Sequence, residues 1–193
     1  MKKNNDKIKI YKGDFGYIKE QKKIEIVKTA VLVLLPILLY VIGFLTTGSN
    51  KNLLTFVAIL GSLPMARSFV NLVLFLKAGV CCSEETYKKV VGAGVQATYY
   101  DLYYTSYKNN FPIASLILKR GSLIFLTEDS SVDEEAFMKH MEDAMKLCGG
   151  EKIAVKLFKD TDKYIERARE LNALKDDDTD YDFILENLLS LSI

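Results

Sequence analysis

The sequence has few of the residues from which catalytic and metal sites are usually built. Its 193 residues include one histidine and three cysteines, two of which, Cys81 and Cys82, are adjacent. Adjacent cysteines lack metal-ligand spacing and form no disulfide framework, so we expect no zinc site and a reducing compartment. No serine or cysteine is visibly paired with His140, so a nucleophilic triad has no support. We therefore predict no catalytic residues, no metal and no cofactor.

The chain also lacks the patterns typical of phosphate, calcium and nucleic-acid binding. Neither G-x-x-x-x-G-K-[ST] nor G-x-G-x-x-G occurs. The acidic run at residues 175–182 has Tyr181 where a calcium loop needs glycine and Asn187 where it needs glutamate, so we interpret it as a linker. Residues 81–193 contain fourteen basic and twenty-one acidic residues, a net charge of −7. A nucleic-acid partner needs a basic surface, and none is predicted.

Charge is absent from the first of two long apolar runs. Residues 29–45 have no charged side chain, residues 53–76 have only Arg67, and a polar turn at 46–52 separates them. About 17–25 apolar residues cross a bilayer as a helix, so we predict a two-helix transmembrane hairpin. Two alternatives are a buried hairpin of a soluble helical protein and, for the first run, a cleaved signal peptide. The run is longer than the usual 7–15 residues of a signal peptide.

The flanking lysines orient this hairpin. Residues 1–28 contain nine lysines and four acids, a net charge of +5, and Lys77, Lys88 and Lys89 follow the second run. The connecting turn has only Lys51. Because short lysine-rich loops stay in the cytoplasm, both termini are predicted to be cytoplasmic. Frequent lysine, isoleucine and asparagine suggest a bacterial inner-membrane, multi-pass protein whose first partner is the lipid bilayer.

Two polar residues of the second run, Arg67 and Asn71, are candidate intramembrane residues. An ionisable residue inside a membrane is by default a functional hypothesis. The alternative is that Arg67 extends toward the headgroups while the residues after it lie in the interface. Neither run contains an acidic partner for Arg67, so a transport pathway would need an acid from another chain.

The second half of the chain is predicted to form a small cytoplasmic α/β domain with a mixed sheet. Ser83 is a candidate N-cap, and strand-forming residues dominate 97–107, 111–119 and 122–127, with a tight reversal at Arg120-Gly121. Ser131 and Glu134 have the spacing of a capping box. The predicted elements follow the order α-β-β-β-α-β-α, after which comes a short C-terminal helix. The predicted segments are 1–23 (basic, cytoplasmic), 24–78 (hairpin), 79–174 (α/β domain) and 175–193 (acidic linker and short helix).

This element order resembles that of the restriction-endonuclease-like nucleases, but the resemblance stops at the order. Those enzymes require an acid near the end of the second strand and an acid-x-Lys pair on the third. Here neither strand has an acid, and Glu128 and Asp129 follow the third strand. We therefore claim no family, since element order rarely determines function.

The most unusual local pattern is the tyrosine-rich strand at 97–107. Strict alternation places Tyr99, Asp101 and Tyr103 on one face of the strand and Tyr100, Leu102 and Tyr104 on the other. Tyrosine is favoured at interfaces, so these three residues are the candidate interaction site; burial of both faces in the core is the alternative. The predicted function is a membrane-anchored cytoplasmic interaction or regulatory module, with partner and oligomeric state left open. An enzyme with an unfamiliar site, or a small subunit of a transport complex, is the alternative.

Overall fold

The computed structural model describes residues 10–96, 98–150, 152–174 and 179–193. The expectations for residues 1–9 and for the acidic residues 175–178 lie outside these ranges. The chain divides into two compact units: Lys19–Gly79, here called the helical unit, and Met1–Ile18 with Val80–Ile193, here called the globular unit. The C-terminal segment thus belongs to the globular unit, whereas the sequence analysis treated 175–193 separately.

The helical unit consists of two long helices, α1 (Tyr17–Thr47) and α2 (Leu53–Ala78). Helix α1 begins twelve residues before the charge-free run. Asn52 caps α2, since its side chain accepts a hydrogen bond from Thr55 N at 2.8 Å. By length and composition alone, both helices are apolar enough to cross a membrane, with mean hydropathies of 2.5 and 1.7 in their most apolar stretches.

Small residues, among them Gly43, Ala58 and Gly61, allow α1 and α2 to approach closely. A Cβ on Gly61 would lie 3.3 Å from Pro36, and a Cβ on Gly43 would lie 2.9 Å from Leu54. Ala58 is buried. The pairing ends in a buried hydrogen bond of 2.8 Å between the hydroxyls of Thr29 and Ser68. These contacts define the antiparallel register of the two helices.

The globular unit is built on one mixed four-stranded sheet. Its strand order is β1-β2-β3-β4; the first two pairings are antiparallel and β3 pairs with β4 in parallel. The predicted mixed sheet and the antiparallel order of its first three strands are confirmed. The elements are α3 (Glu84–Gly92), β1 (Tyr99–Thr105), β2 (Asn110–Lys119), β3 (Ser122–Leu126), α4 (Glu134–Leu147), β4 (Ala154–Phe158), α5 (Thr161–Ala173) and α6 (Asp182–Leu191).

Helices cover both faces of this sheet. On one face, Phe137 and Met141 of α4 and Leu188 of α6 pack with alternate strand residues such as Leu123 and Phe125. On the other face, α3 and α5 pack against the intervening strand residues. The buried stripe of α5 consists of Tyr164, Ile165, Ala168 and Leu171. Two covered faces explain why β2 and β3 are apolar on both sides.

One predicted helix cap is confirmed and one is wrong. Ser83 accepts from Thr86 N at 3.1 Å, and Asp160 caps α5. Helix α4, however, is capped by Asp133, whose carboxylate accepts from Ala136 N at 3.1 Å. Ser131 instead donates to Asp129 at 2.6 Å. The capping-box interpretation fails because α4 begins at Glu134, so Ser131 lies too far upstream to cap it.

Candidate functional site

Along the outer edge of β1 lie the segment that precedes α1 and the residues that follow α6. Tyr100 N donates to Gly13 O at 2.7 Å, so the segment before α1 lies along the first half of the strand. At the other half, Tyr103 N donates to Ser192 Oγ at 3.0 Å and Ile193 N donates to Tyr103 O at 3.0 Å. These bonds satisfy the outward backbone groups of an edge strand, which would otherwise attract another chain.

Asp101 lies between these two contacts and has an unusual backbone conformation. Its φ is +54°, in the left-handed region, where aspartate and asparagine are tolerated better than most residues. Among the described residues that are not glycine, only Arg120 shares a positive φ, and Arg120 lies in the tight β2–β3 turn that the sequence predicted. Because of this backbone conformation, the Asp101 side chain does not follow the alternation between faces of a regular strand. Its position is therefore not the outward one that the sequence predicted.

The carboxylate of Asp101 accepts hydrogen bonds from backbone groups of two distant segments. One oxygen accepts from Ile18 N at 3.0 Å and the other from Cys82 N at 3.3 Å, and the N–H groups of Gly16 and Cys81 also bond to it. Gly16 and Ile18 flank the start of α1, and the two cysteines follow the end of α2. One side chain thus holds both the entrance to the hairpin and its exit, and it satisfies an N–H in the first turn of α1.

Burial has a measurable consequence for this carboxyl group. Only 3% of Asp101 is exposed. Burial raises the pKa of Asp101 above its ordinary value of 3.8. The four backbone N–H groups favour the charged form and lower the pKa, but the effect of burial is larger. The described surroundings contain no cation bonded to the group. A buried carboxyl group whose described partners are all backbone N–H groups has the chemistry of a structural acceptor.

The structure also locates the two predicted interaction tyrosines. Tyr103 is 4% exposed, and Tyr99 is half-buried, with its ring close to Gly13 and packed on the same core cluster as Leu189 of α6. The expectation of strict alternation is wrong, because Tyr99 packs on the same core cluster as Leu102, whereas Tyr100 packs on the other face. The reversal follows from the left-handed residue between them. An interaction role for Tyr99, Asp101 and Tyr103 stays a prediction, and the surface they offer is small.

The cysteine pair lies beside Asp101 and is equally buried. Cys81 is 1% and Cys82 is 3% exposed. Burial raises the pKa of both thiols, that of Cys82 to about 12, and the nearby carboxylates of Asp101 and Glu128 add to the shift. Both thiols are therefore protonated at neutral pH, in a form that is a poor nucleophile and a poor metal ligand.

Other residues with possible chemistry are dispersed. His140 lies on α4, where its ring contacts Phe111 at a centroid distance of 5.7 Å, and burial lowers its pKa. Within the described ranges, no group of three or more His, Cys, Asp or Glu residues lies close enough to hold a metal ion.

In the helical unit, Arg67 is exposed on α2 and Asn71 is partly exposed. The contacts Thr29–Ser68 and Pro36–Gly61 share one antiparallel register. This register places Arg67 at the level of residue 30, beside the point where α1 becomes free of charge. The sequence could not supply this alignment, because it depends on which small residues of α1 and α2 face each other.

The role of Asp101 was missed by sequence reasoning. A single acid in a strand of tyrosines looks like an outward-facing residue, and only Gly13 and Gly16, recognisable as turn residues, hinted that the N-terminal segment bends sharply.

Comparison of the chain with protein-family models, with curated proteins and with solved structures finds no match.

Proposed function

We propose that this protein is a membrane-anchored interaction module, with a transmembrane hairpin and a globular unit on the cytoplasmic side. One observation carries the proposal: the N–H groups that precede α1 and those that follow α2 converge on the single carboxylate of Asp101. Both ends of the hairpin therefore emerge at the same place. A chain with this arrangement has both termini on one side of any membrane that the hairpin crosses.

The dimensions of the helical unit support this anchorage. Residues 29–47 of α1 have no charge and extend about 28 Å as a helix, close to the ~30 Å hydrocarbon layer. Only 17% of the most apolar window of α1 and 11% of that of α2 are buried. The core helix of a soluble protein would be mostly buried, so lipid is the medium that best suits these surfaces.

The register of the two helices supports an interfacial position for Arg67. Arg67 lies level with the start of the charge-free part of α1, just after Lys28, which forms an ion pair with the buried Glu25. A charged side chain at this depth reaches the headgroups without crossing hydrocarbon. We therefore assign Arg67 to the cytoplasmic interface, together with Lys19, Lys22 and Lys23, which favour cytoplasmic retention.

Cysteine labelling in intact cells tests this topology. Ser49 in the turn and Ser130 in the globular unit are both exposed serines and form a matched pair for replacement by cysteine. Ser192 would be a poor position because it is buried and bonded to Tyr103. Only Cys148 needs removal beforehand, since Cys81 and Cys82 are buried.

An impermeant thiol reagent added outside the cell should label position 49, whereas position 130 should react only after lysis. Labelling of position 130 in intact cells would contradict the proposed side. Loss of residues 1–47 from the mature chain, measured by mass spectrometry, would show that the first run is a cleaved signal peptide and would overturn the hairpin. Full recovery of the chain from the soluble fraction would overturn the anchorage itself.

A further inference from the structure

The outer edge of β4 differs from that of β1 because no strand of the described chain pairs with it. Ala154 N donates to Gly121 O at 2.8 Å, and Phe158 O accepts from Thr127 N at 2.9 Å, so these two residues direct their backbone groups toward β3. Alternation along the strand then directs the N–H and C=O groups of Val155 and Leu157 to the outside. Strand β4 offers a short row of hydrogen-bonding groups to an incoming strand.

The charge around this edge is opposite to that of the globular unit as a whole. Residues 152–159 contain Lys152, Lys156 and Lys159 and no acid, whereas residues 81–193 have a net charge of −7. Lys156 is exposed at the centre of β4, with its ammonium 4.9 Å from the centroid of the Phe158 ring. Lys159 is bound to the carbonyl groups of Ser130 and Val132, whereas Lys156 lies within β4 itself and would face a new strand.

A cleft adjoins the same edge on the opposite face of the strand. It has a volume of about 540 Å³ and lies between α4 and β4, lined by the apolar side chains of Met138, Met145, Ile153 and Val155 and by the charged side chains of Glu142 and Lys146. Val155 and Leu157 point to this face, and Lys156 points to the other. A strand added beside β4 would therefore have alternate side chains next to the cleft and next to Lys156.

We propose that the β4 edge binds an extended segment of a partner protein by strand addition, and that the segment alternates acidic with apolar residues. This proposal rests on the proposed function as an interaction module and names its binding surface. The backbone of Val155 and Leu157 provides the hydrogen bonds, an acidic side chain lies opposite Lys156, and apolar side chains lie beside the cleft. Strand addition of this kind takes affinity from the main chain and specificity from alternate side chains.

A second copy of this chain is a poorer occupant of the edge. Antiparallel pairing of two identical β4 strands about their centres would place Lys156 directly opposite the same lysine of the second copy. Like charges directly opposite each other destabilise a strand pair. Lysine at the centre of an edge strand is a common device against such self-association. The same charge attracts an acidic strand.

The test uses the full chain in detergent micelles and a short fluorescent peptide that alternates aspartate with valine. Binding is measured by fluorescence anisotropy for the wild type, for Lys156→Glu and for Lys108→Glu, a matched charge reversal at an exposed position in the β1–β2 turn. Two further peptides serve as controls: one has lysine in place of aspartate, and one has the original sequence with alternate amides N-methylated on the pairing side.

We expect the aspartate–valine peptide to bind the wild type, and Lys156→Glu to weaken binding about tenfold, because an attractive cross-strand pair becomes repulsive. Lys108→Glu should change binding less than about twofold. N-methylation should abolish binding, since it removes the donors that an added strand needs. The lysine–valine peptide should not bind.

Three results would overturn the proposal. They are retained binding of the N-methylated peptide, equal weakening by both charge reversals, and intermolecular cross-linking of wild-type β4 to itself in place of the peptide. These outcomes are separate from failure of the proposed function. If the chain is labelled only at position 49 in intact cells but binds no peptide, the proposed topology stands and the strand-addition site is wrong.

Discussion

The two edges of the sheet are protected by opposite means. The edge at β1 is covered by the chain itself, through Gly13 before α1 and through Ser192 and Ile193 after α6. The edge at β4 pairs with no strand of the described chain and presents Lys156 at its centre. Covering an edge removes it permanently as a binding surface, whereas a lysine only selects which strands can approach. Substitutions at β1 should therefore change stability, and substitutions at β4 should change association.

The largest effect is expected at Asp101. Asp101→Ala removes the acceptor of four buried N–H groups and places alanine at a φ of +54°. Leaving buried donors unsatisfied costs about 1–3 kcal/mol each, less where water enters, so we expect a loss of about 4 kcal/mol in the free energy of unfolding. Urea unfolding followed by tyrosine fluorescence measures it, since ten of the eleven tyrosines lie outside residues 19–79. A loss below about 1 kcal/mol would contradict the structural role.

The conservative variant Asp101→Asn should cost less and should also change the pH dependence of stability. Asparagine tolerates the left-handed backbone and keeps one carbonyl acceptor. Because the folded pKa of Asp101 is raised, its contribution to stability is complete below the ordinary pKa of 3.8 and is lost as the pH rises through the folded pKa. Asparagine does not titrate, so this part of the pH profile should be absent from the variant. An unchanged profile would contradict the raised pKa.

A smaller but substantial loss is expected when the N-terminal cover of β1 is pushed away. In Gly13→Ala, a Cβ would lie 2.5 Å from the Tyr99 ring at a φ of +92°. The backbone and steric penalties together predict a loss of about 3 kcal/mol. Gly16→Ala is the matched control, because its φ is +85° but no atom lies within 4 Å of the new Cβ, so about 1 kcal/mol is expected. Equal losses for the two variants, measured by the same urea unfolding, would show that Tyr99 is not held against Gly13.

The C-terminal cover should contribute less than the N-terminal one. Ser192→Ala removes the hydroxyl that accepts from Tyr103 N, while the backbone bond from Ile193 N to Tyr103 O remains. One buried, unpartnered N–H predicts a loss of about 1 kcal/mol. Amide hydrogen exchange at Tyr103 should accelerate in this variant. Unchanged protection would indicate that the hydroxyl is not needed to cover the edge.

The smallest change in stability is expected at Lys156, together with a change in association. Lys156→Val replaces an exposed lysine on an edge strand with a good strand former, so stability should change by less than about 0.5 kcal/mol. Because the charge that opposes self-pairing is removed, the variant should form dimers or larger species as its concentration rises in micelles. Light scattering measures this association, and Lys108→Val, the same substitution at a position away from β4, is the control. Equal association of the two variants would show that Lys156 does not protect the edge against self-pairing.

The predictions from sequence succeeded where a local pattern determines the structure. Alternation and helical spacing identified the strands and the buried stripe of α5, since each residue only has to face an adjacent layer. They failed at Asp101 and Ser131 for different reasons. A left-handed residue inside a strand breaks the alternation from which the faces were assigned, and a cap depends on the residue at which a helix begins. Neither the left-handed residue nor the first residue of a helix can be recognised from the spacing of apolar residues in strands and helices.

The sequence by itself determined the charge-free helices, the order of strands and helices, and the lysines that flank the hairpin, because each follows from composition over neighbouring residues. Tertiary structure decided which edge of the sheet is covered and which is open. The hydrogen bond from Ile18 N to Asp101 joins positions 83 residues apart, and that from Tyr103 N to Ser192 joins positions 89 apart. No local pattern specifies such partners, since they depend on where the folded chain brings its two ends.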